Sequence, residues 1–149
     1  LYDLEFSRLT HLKISNQEKR EIISYYNLLN AFKHEDKSRV NMISLVYSYG
    51  DKKVKDVLQF IQENEARLNI QFHPTIMNAI LVDEIYDKLP IYDKADLNIN
   101  GQVLMSTFNK KGGPWIKDTL NKVEQAVILN KVKNTQNDLI EWVRENVEI

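Results

Sequence analysis

Apolar residues recur every three or four positions along almost the whole chain. Only four glycines and three prolines interrupt them among 149 residues. That spacing is the one-sided stripe of an amphipathic helix. With so few breakers, the pattern predicts an all-α fold, an irregular multi-helix bundle of about seven or eight helices. A chain of this length buries about 70% of the surface it would expose unfolded, so a true core is expected. One domain, or two tightly packed ones, would use up the length.

The helices are placed by their stripes and their ends. Residues from about 3 to 12 read as a short helix, with Leu4, Leu9 and Leu12 as its buried side. Ser15 followed by Glu18 is a capping box, opening a helix with Ile22, Ile23, Tyr26, Leu29 and Phe32 on one face. Val40, Ile43, Val46 and Tyr47 mark the next, with Gly50 as its stop. Asp51 is expected to cap a third, carrying Val54, Val57, Leu58 and Ile61 inward. Pro74 suits the first turn of a helix that buries Met77, Ile80, Leu81 and Ile85. Leu89-Pro90-Ile91 then breaks the pattern and marks a candidate junction near residue 90, dividing 1–89 from 90–149. Beyond it, Asp96 to Gly101 reads as a turn and Gln102 to Phe108 as a short helix. Ile116, Leu120, Val123 and Val127 form a longer stripe, and a last helix capped near Asn134 carries Leu139, Val143 and Val147.

Composition excludes several classes. No stretch approaches the roughly 18 consecutive apolar residues of a membrane helix. There is no cysteine, so disulfides and thiolate metal sites are ruled out, which fits a cytoplasmic protein. The chain opens Leu1-Tyr2-Asp3 with no signal-peptide pattern, so it reads as cut from a longer protein. Net charge is −1, but Lys110 to Lys133 holds six lysines against two acids, a local +4. The remaining C-terminal residues hold Arg144 against Asp138, Glu141, Glu145 and Glu148.

No catalytic signature emerges. His11, His34 and His73 are isolated, and no HExxH, GxSxG, Walker loop or GxGxxG occurs. Catalytic and metal residues are therefore expected to be none. Glu63 and Glu65 fall on a helix, where an i, i+2 pair points about 200° apart and does not converge. The most distinctive run is Lys110-Lys111-Gly112-Gly113-Pro114-Trp115. Structurally, one glycine would take a left-handed backbone to stop a helix, Pro114 would start the next and Trp115 would pack. Functionally, glycines let a phosphate approach the backbone, and a helix N-terminus offers free N–H groups and partial positive charge.

The ordered set Leu89-Pro90-Ile91, Asp96-Leu97-x-Ile99-Asn100-Gly101, Gly113-Pro114-Trp115 and Val123-Glu124-Gln125-Ala126-Val127, then Asn134 and a closing helix with Trp142, resembles the C-terminal part of bacterial class II CCA-adding enzymes. The likeness is good over about residues 85 to 149 and weaker upstream. Lys111 departs from the proline frequent in the family's KPxGPW-like run. The resemblance implies a parent transferase that adds C, C and A to the tRNA 3′ end, using CTP and ATP with Mg²⁺ held by a D-x-D pair in an N-terminal head. An EDxxR element in a neck selects the nucleotide, and a helical body and tail hold the acceptor and TΨC arms. This sequence has no D-x-D pair. Its Glu35-Asp36-Lys37-Ser38-Arg39 run has the EDxxR form but is taken as coincidence, since it straddles an expected helix break and Met42 stands where a further arginine is expected.

Residues 1–149 are accordingly expected to be body and tail, without head or neck and without cofactors of their own. The expected function is non-catalytic tRNA binding. Lys110, Lys111, Lys117, Lys122, Lys131 and Lys133 are the candidate phosphate contacts, with Gly112 and Gly113 as backbone donors. Lys117 and Lys122 lie five apart on one helix, so some of these lysines must face away from the RNA. The expected partners are tRNA and the missing head and neck, with no membrane. The alternative is a helical protein-interaction module or homodimer anchored by Trp115 and Trp142.

Overall fold

The computed structural model describes residues 11–34, 39–68 and 78–149. Among the described residues it is all-α, with eight α-helices and no strand. They are α1 (Asn16–His34), α2 (Arg39–Tyr49), α3 (Asp51–Glu63), α4 (Glu65–Leu68), α5 (Ala79–Asp87), α6 (Gly101–Phe108), α7 (Pro114–Ile128) and α8 (Gln136–Asn146). A 3-10 turn, Lys94–Asp96, precedes α6. The chain divides into two compact units, residues 1–87 and 88–149. The expected helix over residues 3 to 12 lies outside the described residues up to position 10, and His11 and Leu12 are turn and bend. Pro74 and Met77 also lie outside them, as do Glu35 to Ser38 of the EDxxR-like run.

In the first unit, α1 packs on α2 and α3, and α5 packs on the same pair. The capping box at the start of α1 forms as its spacing predicts. The Ser15 hydroxyl accepts from the Glu18 N–H at 3.2 Å, and the Glu18 carboxylate accepts from the Ser15 N–H at 2.7 Å. The Ser15 backbone N–H, then its hydroxyl, hold the Glu18 carboxyl below its ordinary pKa. The buried face of α1 differs from the expected one. Leu28 and Phe32 are buried, whereas Ile23, Tyr26 and Leu29 are half-buried and Ile22 is 41% exposed. Apolar residues at 22, 23, 25, 26, 28, 29 and 32 leave several faces nearly alike, and packing on α2 and α3 selects among them. On α2 the core residues are Met42, Leu45 and Val46.

Gly50 stops α2 as expected, with φ of 85°, a left-handed backbone that suits glycine. Asp51 does not cap α3. Gly50 itself occupies the cap position, so Asp51 becomes the first helical residue. The α3 face of Val54, Val57, Leu58 and Ile61 is buried as its spacing predicts. On α5, Val82 and Ile85 are buried while Ile80 is 73% exposed. The Asn78 side chain accepts from the Leu81 N–H at 2.8 Å, so the helix opens at Ala79 and its inward face follows that start.

The second unit is built from loops that are tied before each helix begins. Asp93 accepts from the Ala95 N–H at 2.8 Å, and the Asp96 carboxylate accepts from the Tyr92 and Asp93 N–H groups, each at 3.0 Å. Asn100 caps α6 by accepting from the Val103 N–H at 3.0 Å. Thr135, one residue beyond the expected Asn134, caps α8 through the Asp138 N–H at 3.3 Å. Asn134 does different work. Its amide donates to the Asp96 carbonyl at 2.8 Å and accepts from the Asn98 N–H at 2.9 Å, while Asn98 donates back to the Asn134 carbonyl at 2.6 Å. The loop before α6 is thereby fastened to the loop before α8. Leu89, Ile91, Ile99, Leu104, Val123, Ala126, Val127, Ile128, Leu139 and Val143 make the core. The N134A variant is expected to lose about 2 kcal/mol of stability, about 1 for each of the two side-chain bonds that tie the loops. A drop in thermal midpoint followed by circular dichroism checks this.

Candidate nucleic-acid interface

The six lysines of the basic segment are all exposed, and none has a carboxylate partner among the described residues. The structure sorts them into two groups rather than one surface. At the N-terminal end of α7 stand Lys110, Lys111, Gly112, Gly113 and, within the first turn, Lys117. Lys122, midway along α7, and Lys131, just beyond its C-terminal end, line one shallow pocket of about 360 Å³ together with Asn121, Gln125, Leu129 and Trp142. Lys133 follows in the loop to α8 and does not line it. Lys117 and Lys122 are separated by only about 7.5 Å of rise along the axis, so it is their direction around the helix, not its length, that divides the groups. Lys117 and Lys122 lie about 140° apart around the axis at 3.6 residues per turn, on either side of the buried stripe of Thr119, Val123, Ala126 and Val127.

The Gly-Gly-Pro-Trp run is built differently from the expectation. Neither glycine is left-handed. Asn109, with φ of 49°, stops α6, and the Lys110 N–H returns to the Met105 carbonyl at 3.1 Å. Asn tolerates this conformation better than other side chains, so the turn is complete before the glycines begin. Gly113 is fully extended, a backbone any residue adopts. At Gly112 a Cβ would lie 3.2 Å from the Met105 sulfur, a tight approach that the Met105 side chain would have to relieve by a few tenths of an ångström. Pro114 takes the first helical position as expected. The Trp115 indole N–H donates to the Lys111 carbonyl at 2.8 Å, and the Lys110 ammonium lies 5.2 Å from the Trp115 ring centre. Trp115 therefore fixes the loop that carries both lysines.

The same turn recurs at the end of α7. Asn130 is left-handed at φ of 54°, its N–H bonds to the Val127 carbonyl, and the Lys131 N–H bonds to the Ala126 carbonyl, each at 2.9 Å. This is a Schellman arrangement. Lys110 and Lys131 thus each follow an asparagine that turns the chain, whereas the same dipeptide at Asn121-Lys122 lies inside α7, so the dipeptide alone does not mark the turn. Sequence reasoning did not place Asn121 and Gln125 at a site. It also passed over Lys94, which lies outside the basic run and donates to the Asn121 side chain.

A family model described as tRNA nucleotidyltransferase domain 2, putative, matches residues 5–143. CCA-adding enzymes of Staphylococcus aureus strains Mu3 and Mu50 are each 35% identical over 150 residues, covering 99% of this chain. The enzyme of strain Newman is similar to the same degree. The chain belongs to the CCA-adding tRNA nucleotidyltransferase family and corresponds to a C-terminal region of such an enzyme. It spans about a third, 36%, of the length of these relatives.

The assignment of the helix stop to Asn109 is testable. N109A is expected to cost about 1 kcal/mol, because alanine resists the left-handed backbone, and N109G to cost nothing. G113A, at an extended position, should leave the urea midpoint within error of the parent chain.

Proposed function

We propose that this chain is the tRNA-holding, non-catalytic part of a CCA-adding enzyme. It grips the acceptor and TΨC arms through phosphate contacts while the 3′ end reacts elsewhere in the polypeptide. The observation that carries this reading is the set of exposed lysines along and beside α7, with no carboxylate partner among the described residues, in a chain of this family. Cations left uncompensated are available to displace counterions from a polyanion, whereas lysines already paired with acids are not. RNA helices are met chiefly through shape, phosphates and 2′-hydroxyls, so a region that accepts every tRNA needs no base code. Lys110, Lys111 and Lys117 form one phosphate-binding group, with the Gly112 and Gly113 backbone beside them; Lys122, Lys131 and Lys133 form the other. The protein would act in the cytoplasm, joined to its head and neck. No described helix is long and apolar enough to cross a membrane.

By this reading the Mg²⁺, CTP and ATP of the parent reaction would be held by the head and neck. The sequence holds no D-x-D pair, and among the described residues no three His, Asp or Glu side chains gather where a cation could sit. The chain's own contribution is to position the RNA and supply a positive field.

If about four phosphates are neutralised, log K for unmodified tRNA should fall by roughly 3 to 4 per tenfold rise in salt. A mobility-shift titration at two salt concentrations measures this. The quadruple K110A/K111A/K117A/K122A variant should lose most of the binding and flatten the slope. Undiminished binding by that variant would refute this choice of surface.

One observation favours self-association as a second reading. Tyr25, Tyr26, Leu29, Val57 and Phe60 line an apolar groove of about 370 Å³ between α1 and α3, with Phe60 48% exposed. Such a surface suits another apolar face. Under this reading sedimentation would show a mass that rises with concentration, and F60K would return it to that of a single chain.

A further inference from the structure

We propose that the pocket between α7 and α8 receives one unstacked nucleotide of the bound RNA, with its base laid against the Trp142 indole and its phosphates met by Lys122 and Lys131. This rests on the tRNA-binding reading above and adds a site that phosphate contacts alone do not require.

The pocket's chemistry has two parts. Ala126, Leu129 and the Trp142 ring give it an apolar floor, and Lys122 and Lys131 stand beside it. A ligand that satisfies both must carry a flat apolar face and negative charge close together, which describes a nucleotide. Every base offers such a face, so stacking on an aromatic ring is tolerant of sequence. The pocket's volume of about 360 Å³ falls at the lower end of small-ligand sites.

The two tryptophans of the chain are used differently. Trp115 has its indole N–H bound to the Lys111 carbonyl and its ring beneath Lys110. The Trp142 indole N–H has no protein partner among the described residues and is not sealed from solvent. It remains a donor for a phosphate or sugar oxygen. No carboxylate lines the pocket. On α8 the acids Glu141 and Glu145 line a separate depression with Arg144 and Thr107, and Asp138, one turn before Trp142, is engaged with the Thr135 cap. The α1–α3 groove, by contrast, is lined by Asp56 and by no lysine or arginine, the nearby Lys53 lying over the Tyr25 ring and paired with Glu21. Lys131 is held by the Schellman turn after Asn130, so its backbone is fixed before any ligand arrives.

The test is made throughout in a W115F background, which leaves Trp142 the only tryptophan, so any cost of W115F is common to every variant. Unmodified tRNA is titrated while Trp142 emission and the mobility shift are followed together. The expected result is quenching in step with the shift. W142A should weaken binding roughly tenfold or more while leaving the salt slope unchanged. W142F should retain most of the affinity, and K122A/K131A should flatten the slope. Thermal melts of W142A and W142F separate a folding defect from a binding one. A mobility shift without any change in emission, or W142F binding as poorly as W142A while melting normally, overturns the nucleotide pocket and leaves the tRNA reading intact. A polyglutamate peptide that quenches Trp142 as strongly as tRNA at equal ionic strength overturns it in favour of an acidic-peptide site. No mobility shift at low salt by the parent chain removes the tRNA reading and the pocket with it.

Discussion

Burial of the α7 stripe decides where the positive charge of this protein goes. Thr119, Val123, Ala126 and Val127 are turned into the core of the second unit, where α7 packs on α6 and α8. Once those positions are inward, the remaining faces of a 3.6-residue helix are fixed. Lys117 is left on one flank and Lys122 on the other. The start of α7 is also held close to α6, since a Cβ on Gly101 would lie 3.0 Å from the Ile116 Cγ2. Helix burial and lysine display are therefore one arrangement, and neither changes without the other.

Local hydrogen bonding finishes what burial begins. Two asparagines, Asn109 and Asn130, take the left-handed backbone that ends a helix, and each is followed by a lysine whose N–H closes the turn. Asn98 and Asn134 tie the loops on which α6 and α8 are mounted. These bonds replace part of the rigidity that a small unit's apolar core supplies less generously than a large one's. Backbones fixed in this way carry long side chains whose own freedom is lost only when a ligand binds.

The two units use charge differently. In the first, Lys53 meets Glu21 at 3.1 Å and donates to Ser24, Lys55 bridges Asp51 and Asp83, and the Tyr25 hydroxyl donates to Asp56. Desolvation, then the Asp56 carboxylate, raise the Tyr25 pKa, and the Asp83 carboxylate raises that of Lys55. Such exposed pairs contribute little stability, but they neutralise the cations involved. In the second unit the lysines from 110 to 133 have no such partners among the described residues, so a chain of net charge −1 still presents a basic surface there.

The sequence by itself determined the helical class, the capping box at Ser15, the stop at Gly50, the inward face of α3 and the proline start of α7. Each of these depends on residues within a few positions of one another, where spacing and backbone preference decide the outcome. The ordered set of motifs between Leu89 and Trp142 likewise sufficed to place the family. Tertiary structure alone decided which face of α1 is buried, because several of its faces are equally apolar. It likewise decided that Ile80 points outward while Val82 is buried. It moved the stop of α6 from the glycines to Asn109, and it separated six lysines that lie close in sequence into two groups. It also brought Trp142 beside Lys122 and Lys131. Those outcomes depend on what packs against what, and a helix read alone carries no record of its neighbours.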